Sequence, residues 1–381
     1  MRQFTVSFLG LMLLSATLPT LAQAPKPTAA APAPVPRAVV LNERLESPWG
    51  IAFLPDGRIL VTQKRGSMAL LSADGRRLEA TIEVPTPVVS KGQGGLLGLA
   101  LDPDFARDPW VYWAYSEAGS GVDEDKAGTA IARARLRGTT LTDLQVIYRQ
   151  TPKVTGAGHF GSRIVFLSDK TMFVTLGERQ KQTPAQDLDA TLGKVIRLNR
   201  DGSVPAGNPG ISKTRPEIWS LGHRNPQSAA LRPGTNELWV VEHGPQGGDE
   251  LNRVLPGRNY GWPIVSYGCP YGAPKGDACR IGGGTHAPRF EEPVSTWVPV
   301  SIGPSGLTFY SGRRFPQWSG DAFIGALAGT ALWRVRLDGN AEASRERLFG
   351  DLGGRIRDVV EGPDGWLYLV TEAGKLIQIR D

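Results

Sequence analysis

The sequence predicts an all-β fold, a ring of about six four-stranded sheets arranged as a β-propeller. Three observations carry this expectation. A strand–turn–strand unit recurs, no long amphipathic helical stretch competes with it, and the first and last copies are nearly the same. IAFLPDGRILVTQKRGSMALLS (51–72) reads as three strands, with Asp56-Gly57 and Arg65-Gly66 as turns. RIVFLSDKTMFVTLGE (163–178) and ALRPGTNELWVVEHG (230–244) repeat its first half, and DVVEGPDGWLYLVTEAGKLIQIR (358–380) gives the fullest match. The shared unit is an apolar strand, a Pro/Asp/Gly turn, and an alternating strand ending in Val-Thr or Val-Glu. Blades of roughly 40–50 residues, with functional loops added, give about six over residues 37–381. Similar first and last copies suit a closed ring whose termini share a blade.

The N-terminus reads as a leader. Met1-Arg2 is a short positive region and Phe8 to Leu14 an apolar core, with small-residue cleavage positions after Ala22 or Ala24. The apolar run is too short for a transmembrane helix, and no cysteine is placed for a lipid anchor. Residues 25–36 (PKPTAAAPAPVP) form a proline- and alanine-rich linker. The expected organisation is a signal peptide at 1–24, the linker at 25–36 and one propeller at 37–381, in a periplasmic protein.

Composition narrows the function. The formal charge is +6, with no basic block or interleaved aromatic strip, so no nucleic-acid partner is expected. The 47 glycines and 30 prolines make about a fifth of the chain, rich for a globular protein but below the level of disorder. Cys269 and Cys279 lie close together, and in an oxidising compartment they are expected to form a disulfide. Two cysteines without a spaced histidine pair do not complete a zinc site.

Chemistry concentrates between Gly222 and Pro263, in GHRNPQ (222–227), EHGPQGGDEL (242–251) and NYGWP (259–263). Glycines expose backbone carbonyls, and carbonyls beside adjacent carboxylates are the hard oxygen donors that calcium prefers. Arg224 beside the neutral amide of Asn225 suits a ligand carrying carboxylates and quinone oxygens. Each motif alone also reads as an ordinary glycine-rich turn; three in succession point to a site.

With GQGGLLGLALDPDF (92–105), HFGSR (159–163), LGHRNPQ (221–227), EHGPQGGDELN (242–252), NYGWP (259–263), PSGLTFY (304–310) and GRIRDV (354–359), the chain resembles the soluble sugar dehydrogenases that use pyrroloquinoline quinone (PQQ). This is the glucose/sorbosone dehydrogenase family, and the bacterial periplasmic aldose dehydrogenase branch is the nearer match. The resemblance runs from about Leu45 to the C-terminus. It implies a six-bladed propeller with the quinone in a central cleft, supported by calcium (Ca2+).

The resemblance also implies roles. His159 matches the general base that takes the anomeric hydroxyl proton while hydride passes from the sugar C1 to the quinone; a neutral imidazole suits that task. Gly158 and Gly161 would let a bulky substrate approach. Gln93 matches a cofactor contact, and Arg224 and Asn225 match residues beside the reactive quinone carbonyl, where a fixed positive charge stabilises a developing oxyanion. Gly244 and Pro245 match the pair whose carbonyls ligate the cofactor-bound calcium. Glu250 and Tyr260 resemble ligands of a second, structural calcium, with Asp249 nearby. Tyr271 matches an aromatic against the cofactor, and Arg355 and Arg357 match partners of its carboxylates. One departure stands out. In FIGALAGTALWRV (323–335) the family commonly places a cofactor-contacting lysine where this chain has Ala328.

The expected activity is that of a PQQ-dependent aldose sugar dehydrogenase, with a small aldose as substrate and an electron acceptor the sequence does not name. The chain is expected to be monomeric or homodimeric. Two other classes share the fold and leader: a calcium-dependent propeller lactonase, and a non-catalytic binding propeller. A lactonase needs carboxylate and Asn metal ligands converging on the channel and leaves the arginines of GHRNPQ and GRIRDV without a purpose.

Overall fold

The repeated turn shows why the repeated sequence becomes repeated structure. In the computed structural model, which describes residues 35–274 and 276–381 together with 1, 3–5 and 10, Asp56 Oδ1 accepts the Arg58 N–H at 3.1 Å while Gly57 takes φ +87°. Asp364 accepts from Trp366 at 3.1 Å, with Gly365 at φ +85°. In the third copy Asp169 accepts from Thr171 at 2.9 Å, with Lys170 in the left-handed position. In the fourth, Thr235 Oγ1 accepts from Glu237 at 3.1 Å. A short acceptor side chain bonds the backbone two residues on, and a left-handed residue completes the reversal.

These turns join antiparallel four-stranded sheets, six in all among the described residues. The blades span 48–83, 96–149, 161–221, 226–297 and 304–348, and the sixth combines 356–380 with Arg37–Asn42. Arg37–Asn42 pairs with Leu376–Arg380, so the strand that precedes the first blade finishes the last. This is a six-bladed β-propeller, and among the described residues helix is confined to four short 3-10 turns. No described helix is long and apolar enough to cross a membrane. Most of the leader and of the linker expected at 1–36 lies outside the described residues.

Alternation along each strand closes the ring. Ile59 and Val61 pack with Tyr368 and Val370 of the sixth blade, while Leu60 points to the second blade with Met68, Trp113 and Tyr115. Further apolar clusters fill the interfaces between blades two and three, three and four, four and five, and five and six. Successive side chains of a strand face opposite ways, so a sheet held between two others buries both faces. Each fully buried large aliphatic contributes about 1.5–3 kcal/mol.

A polar tie crosses the centre. Arg163 Nη1 pairs with Asp358 at 2.8 Å, Nε donates to Gln227 O at 2.7 Å and Nη2 to Arg357 O at 2.8 Å. Asp358 Oδ2 accepts the Ile51 N–H, and Ser305 Oγ donates to Arg357 O. Five blades thereby meet at one buried ion pair, with the Arg163 guanidinium 4.1 Å above the Trp49 ring.

Cys269 and Cys279 are bonded. They close a loop within the long excursion between Asp249–Val254 and Ser295–Trp297, and Cys269 exchanges two backbone hydrogen bonds with Gln246 at 3.0 Å each. Non-reducing peptide mapping should recover this cross-linked pair; two freely alkylated thiols would contradict it. A ten-residue closure contributes at most about 3 kcal/mol. Replacing both cysteines by serine should therefore disturb the Tyr271 loop more than global stability.

Candidate active site

In an antiparallel meander, the start of the first strand and the end of the second lie at the same edge of the sheet. The pairings Gly161 with Leu176, Pro226 with Glu242, Pro304 with Ala326 and Ile356 with Thr371 fix that edge in four blades. Gln93, His159, Arg224, Asn225 and Arg355 precede first strands, while Glu178, Gly244, Ala328 and Glu372 follow second strands. All therefore share one rim of the ring. Each first strand carries a bulge near its start, between Pro48/Ile51, Leu96/Leu99, Gly161/Ile164, Pro226/Ser228, Pro304/Leu307 and Ile356/Asp358. Bulges re-aim side chains and strengthen local twist, which suits strands converging on a central site.

His159 is 5 % exposed and sits at φ +52°. Its ring Nδ1 lies 2.5 Å from Glu178 Oε1, and its backbone N–H donates to Gln93 Oε1 at 2.8 Å. Glu178 Oε2 accepts the Gln182 N–H at 2.6 Å, and the Glu178 N–H donates to Arg224 O at 2.9 Å. With Nδ1–H directed at an ionised carboxylate, the neutral ring presents Nε2 as the lone pair that can take a proton. Burial pushes the His159 pKa below the ordinary imidazole value, and Glu178 opposes that shift. Burial alone would raise the Glu178 pKa, yet the His159 contact and the Gln182 N–H hold it below the usual carboxylate value.

Glu178 was not singled out by the sequence, although it closes the second strand of a recognised repeat. Glu178→Gln removes the charge that raises the His159 pKa. The ring then stays neutral to lower pH but is a weaker base. The acidic limb of the kcat profile should move to lower pH while plateau turnover falls, by less than the roughly 10²–10⁴-fold cost of losing the base outright. An unmoved limb would show that Glu178 only supports the loop.

The glycines beside His159 serve packing. A Cβ at Gly158 would come 2.5 Å from the Gln180 side chain, and one at Gly161 would come 2.7 Å from the backbone of Thr175 and Gly177. Packing within the loop therefore constrains both positions. Arg179, fully buried behind this loop, donates to the Gly156 and Gly158 carbonyls and lies 3.6 Å over the Phe160 ring.

Arg224 and Asn225 come next to this pair. Asn225 Oδ1 accepts the Gly161 N–H at 3.2 Å, and the Arg224 N–H donates to Glu242 Oε2 at 2.7 Å. The Arg224 guanidinium donates to His243 O at 3.2 Å, Gly244 O at 2.7 Å and Tyr271 Oη at 3.3 Å. Tyr271 is 73 % exposed on its disulfide-closed loop, so one face of that ring is open. Across the ring, Arg355 Nε pairs with Glu372 Oε2 at 2.5 Å and Arg357 Nη2 with Glu372 Oε1 at 3.3 Å. Arg357 Nη1 also donates to Gln227 Oε1 at 3.0 Å, and burial lowers its pKa to about 10.

Three buried donors here have no hydrogen-bond partner: Arg224 Nε, Asn225 Nδ2 and Arg357 Nε. A buried donor without a partner costs about 1–3 kcal/mol, so three on one rim fit an anionic, oxygen-rich ligand. Pyrroloquinoline quinone, with carboxylates and quinone oxygens, has that chemistry.

The proposed cation donors divide. Gly244 must be glycine, because a Cβ there would lie 2.3 Å from Gly247 and Gly248 backbone atoms, and its carbonyl oxygen accepts from Arg224. Asp249 is committed to structure, accepting from Gly244 N, Ser301 Oγ, Ile302 N and Gly303 N at 2.6–2.9 Å. The Tyr260 hydroxyl is committed too, donating to Arg253 O at 2.6 Å and accepting from Leu255 N at 2.8 Å. Glu250 is buried, its pKa raised by that burial, and it borders a small space of about 10 Å³ shared with Glu242, Gly244 and Tyr260. That volume holds about one water-sized species. Among the described residues no group of three or more His, Cys, Asp and Glu converges as a metal site.

Residues 45–378 match the family described as glucose / sorbosone dehydrogenase. The chain is 41 % identical over 359 residues to the aldose sugar dehydrogenase YliI of Escherichia coli strain K12, covering 92 % of this chain and 94 % of that protein. The apo-form crystal structure of the soluble E. coli aldose sugar dehydrogenase superposes with a TM-score of 0.84 at 39 % identity, covering 91 % of this chain and 99 % of that one. The PQQ-bound aldose sugar dehydrogenase of Streptomyces coelicolor superposes with a TM-score of 0.73 at 30 % identity, covering 92 % and 99 %.

Proposed function

Because this chain belongs to the glucose/sorbosone dehydrogenase family, we propose that it is a PQQ-dependent aldose sugar dehydrogenase that oxidises the anomeric carbon of aldoses to lactones. The observation that carries this reading is the buried His159–Glu178 pair on the same rim as Arg224, Asn225 and Arg357, whose buried donors lack partners. When bound, the quinone supplies a two-electron acceptor for the C1 hydride.

The remaining work belongs to the chain. His159 Nε2 takes the proton of the anomeric hydroxyl, and Glu178 keeps the ring in that tautomer and stabilises the imidazolium. Gln93 holds the His159 backbone in its left-handed conformation. The Arg224 guanidinium and Asn225 amide place fixed donors where negative charge develops on an acceptor oxygen. Arg355 and Arg357 would hold the cofactor's carboxylates, and Tyr271 would cover an exposed face of the pocket.

A calcium ion would be held by the Gly244 and Pro245 carbonyls, the first of which accepts from Arg224 in this structure. Glu250 and Tyr260 would border a second ion. Calcium supplies Lewis-acid polarisation of a bound oxygen.

We read the protein as exported to the periplasm, after removal of residues 1–24. Its leader-like N-terminus and its disulfide support this. The test of function is reconstitution: purified protein given PQQ and calcium should reduce an artificial electron-accepting dye with aldoses, and omitting either addition should abolish the rate. Lactone hydrolysis without quinone would favour the hydrolase reading instead.

A further inference from the structure

Resting on the quinone reading above, we propose that Lys64 is a cation of this chain's carboxylate-binding cradle and takes over the charge missing at Ala328. The ring topology places it there. Lys64 follows the second strand of the first blade, Ile59–Gln63, as Ala328 follows that of the fifth, Ala322–Ala326, and Glu372 that of the sixth, Leu367–Thr371. The sixth blade, which carries Arg355 and Arg357, has the first and fifth blades as its neighbours. On the fifth-blade side Arg355 Nη1 reaches Leu327 O at 3.4 Å, and the next residue, Ala328, offers no charge. On the first-blade side stands Lys64.

The Lys64 ammonium has three N–H donors. The structure gives it one acceptor, the Gly92 carbonyl at 2.8 Å, immediately before Gln93. Among the described residues no carboxylate lies within ion-pair distance of it. Lys64 is half-buried, and burial, then Arg357, with a smaller contribution from Arg355, push its pKa below the ordinary lysine value; only Glu372 opposes them. Arg355 and Arg357 share the single carboxylate of Glu372 and Lys64 pairs with none, leaving two positive charges uncompensated on one side of the rim. A ligand carrying two or more carboxylates would neutralise that excess.

The test is titration of the full-length apo-protein with PQQ at saturating calcium, followed by quenching of tryptophan fluorescence, which reads binding independently of turnover. Lys64→Met should weaken PQQ binding by tenfold or more, the scale of one lost charge-assisted hydrogen bond, while Lys64→Arg should stay within about threefold of wild type. Ala328→Lys should tighten binding much more in the Lys64→Met background than in wild type, because either lysine serves the same charge. A Lys64→Met affinity within twofold of wild type, in protein with unchanged thermal unfolding, would overturn the assignment and leave the quinone reading standing. So would an equal gain from Ala328→Lys in both backgrounds, a comparison that still holds if Lys64→Met folds poorly and Lys64→Gln is used instead. A folded wild-type protein that binds no PQQ would overturn both.

Discussion

His159→Ala should lower kcat by about 10²–10⁴-fold with little change in PQQ affinity, the range for loss of a positioned general base. The ring is buried, its Nδ1 is engaged by Glu178, and its pKa lies below the ordinary value, so it remains a neutral acceptor through and below neutral pH. Steady-state turnover and PQQ titration on the same preparations separate the two effects. Arg355→Ala and Arg357→Ala should show the opposite pattern, with weakened cofactor retention and a smaller change in saturated turnover. A His159→Ala enzyme within fivefold of wild type would remove the base from this account.

Asp358→Ala should be among the most destabilising single substitutions, by about 3–5 kcal/mol, because it leaves Arg163 buried without its counter-charge. The effect should exceed that of Asp56→Ala, in an exposed pair on an outer turn, where about 1 kcal/mol or less is at stake. Denaturant midpoints of the two variants provide the comparison. Equal losses would mean that the central tie does not hold the blades together.

The blades legible in the sequence are those whose first turn is short. Pro55-Asp56-Gly57 and Pro363-Asp364-Gly365 are local devices, complete within a few residues, and their Asp and Gly reveal them. The second and fifth blades lack that turn. Leu96–Leu101 and Trp110–Ala118 are joined by Asp102–Pro109, where Asp102 pairs with Arg200, and Pro304–Phe309 and Ala322–Ala326 by a longer segment built around Tyr310. Turns closed by distant partners leave no local pattern.

The site divides in the same way. His159, Arg224 and the Gly244 segment stand in compact motifs, and Arg355 and Arg357 alternate within one. Glu178 and Lys64 look like ordinary residues at strand ends. The meander of the third blade brings Glu178 to His159, and closure of the ring sets the first blade, with Lys64, against the sixth, with Arg357. The packing constraint on Gly158 and Gly161 is not legible in the sequence because it lies across the loop, in Gln180 and the Thr175–Gly177 backbone.

The most direct measurement is dye reduction by the wild-type protein saturated with PQQ and calcium, run with a panel of aldoses and their methyl glycosides, with product analysis. The account predicts reduction with aldoses, one lactone formed per two electrons delivered, and silence with every methyl glycoside, whose anomeric oxygen carries no proton for His159 to remove. No reduction with any aldose, or equal rates with the glycosides, would contradict it.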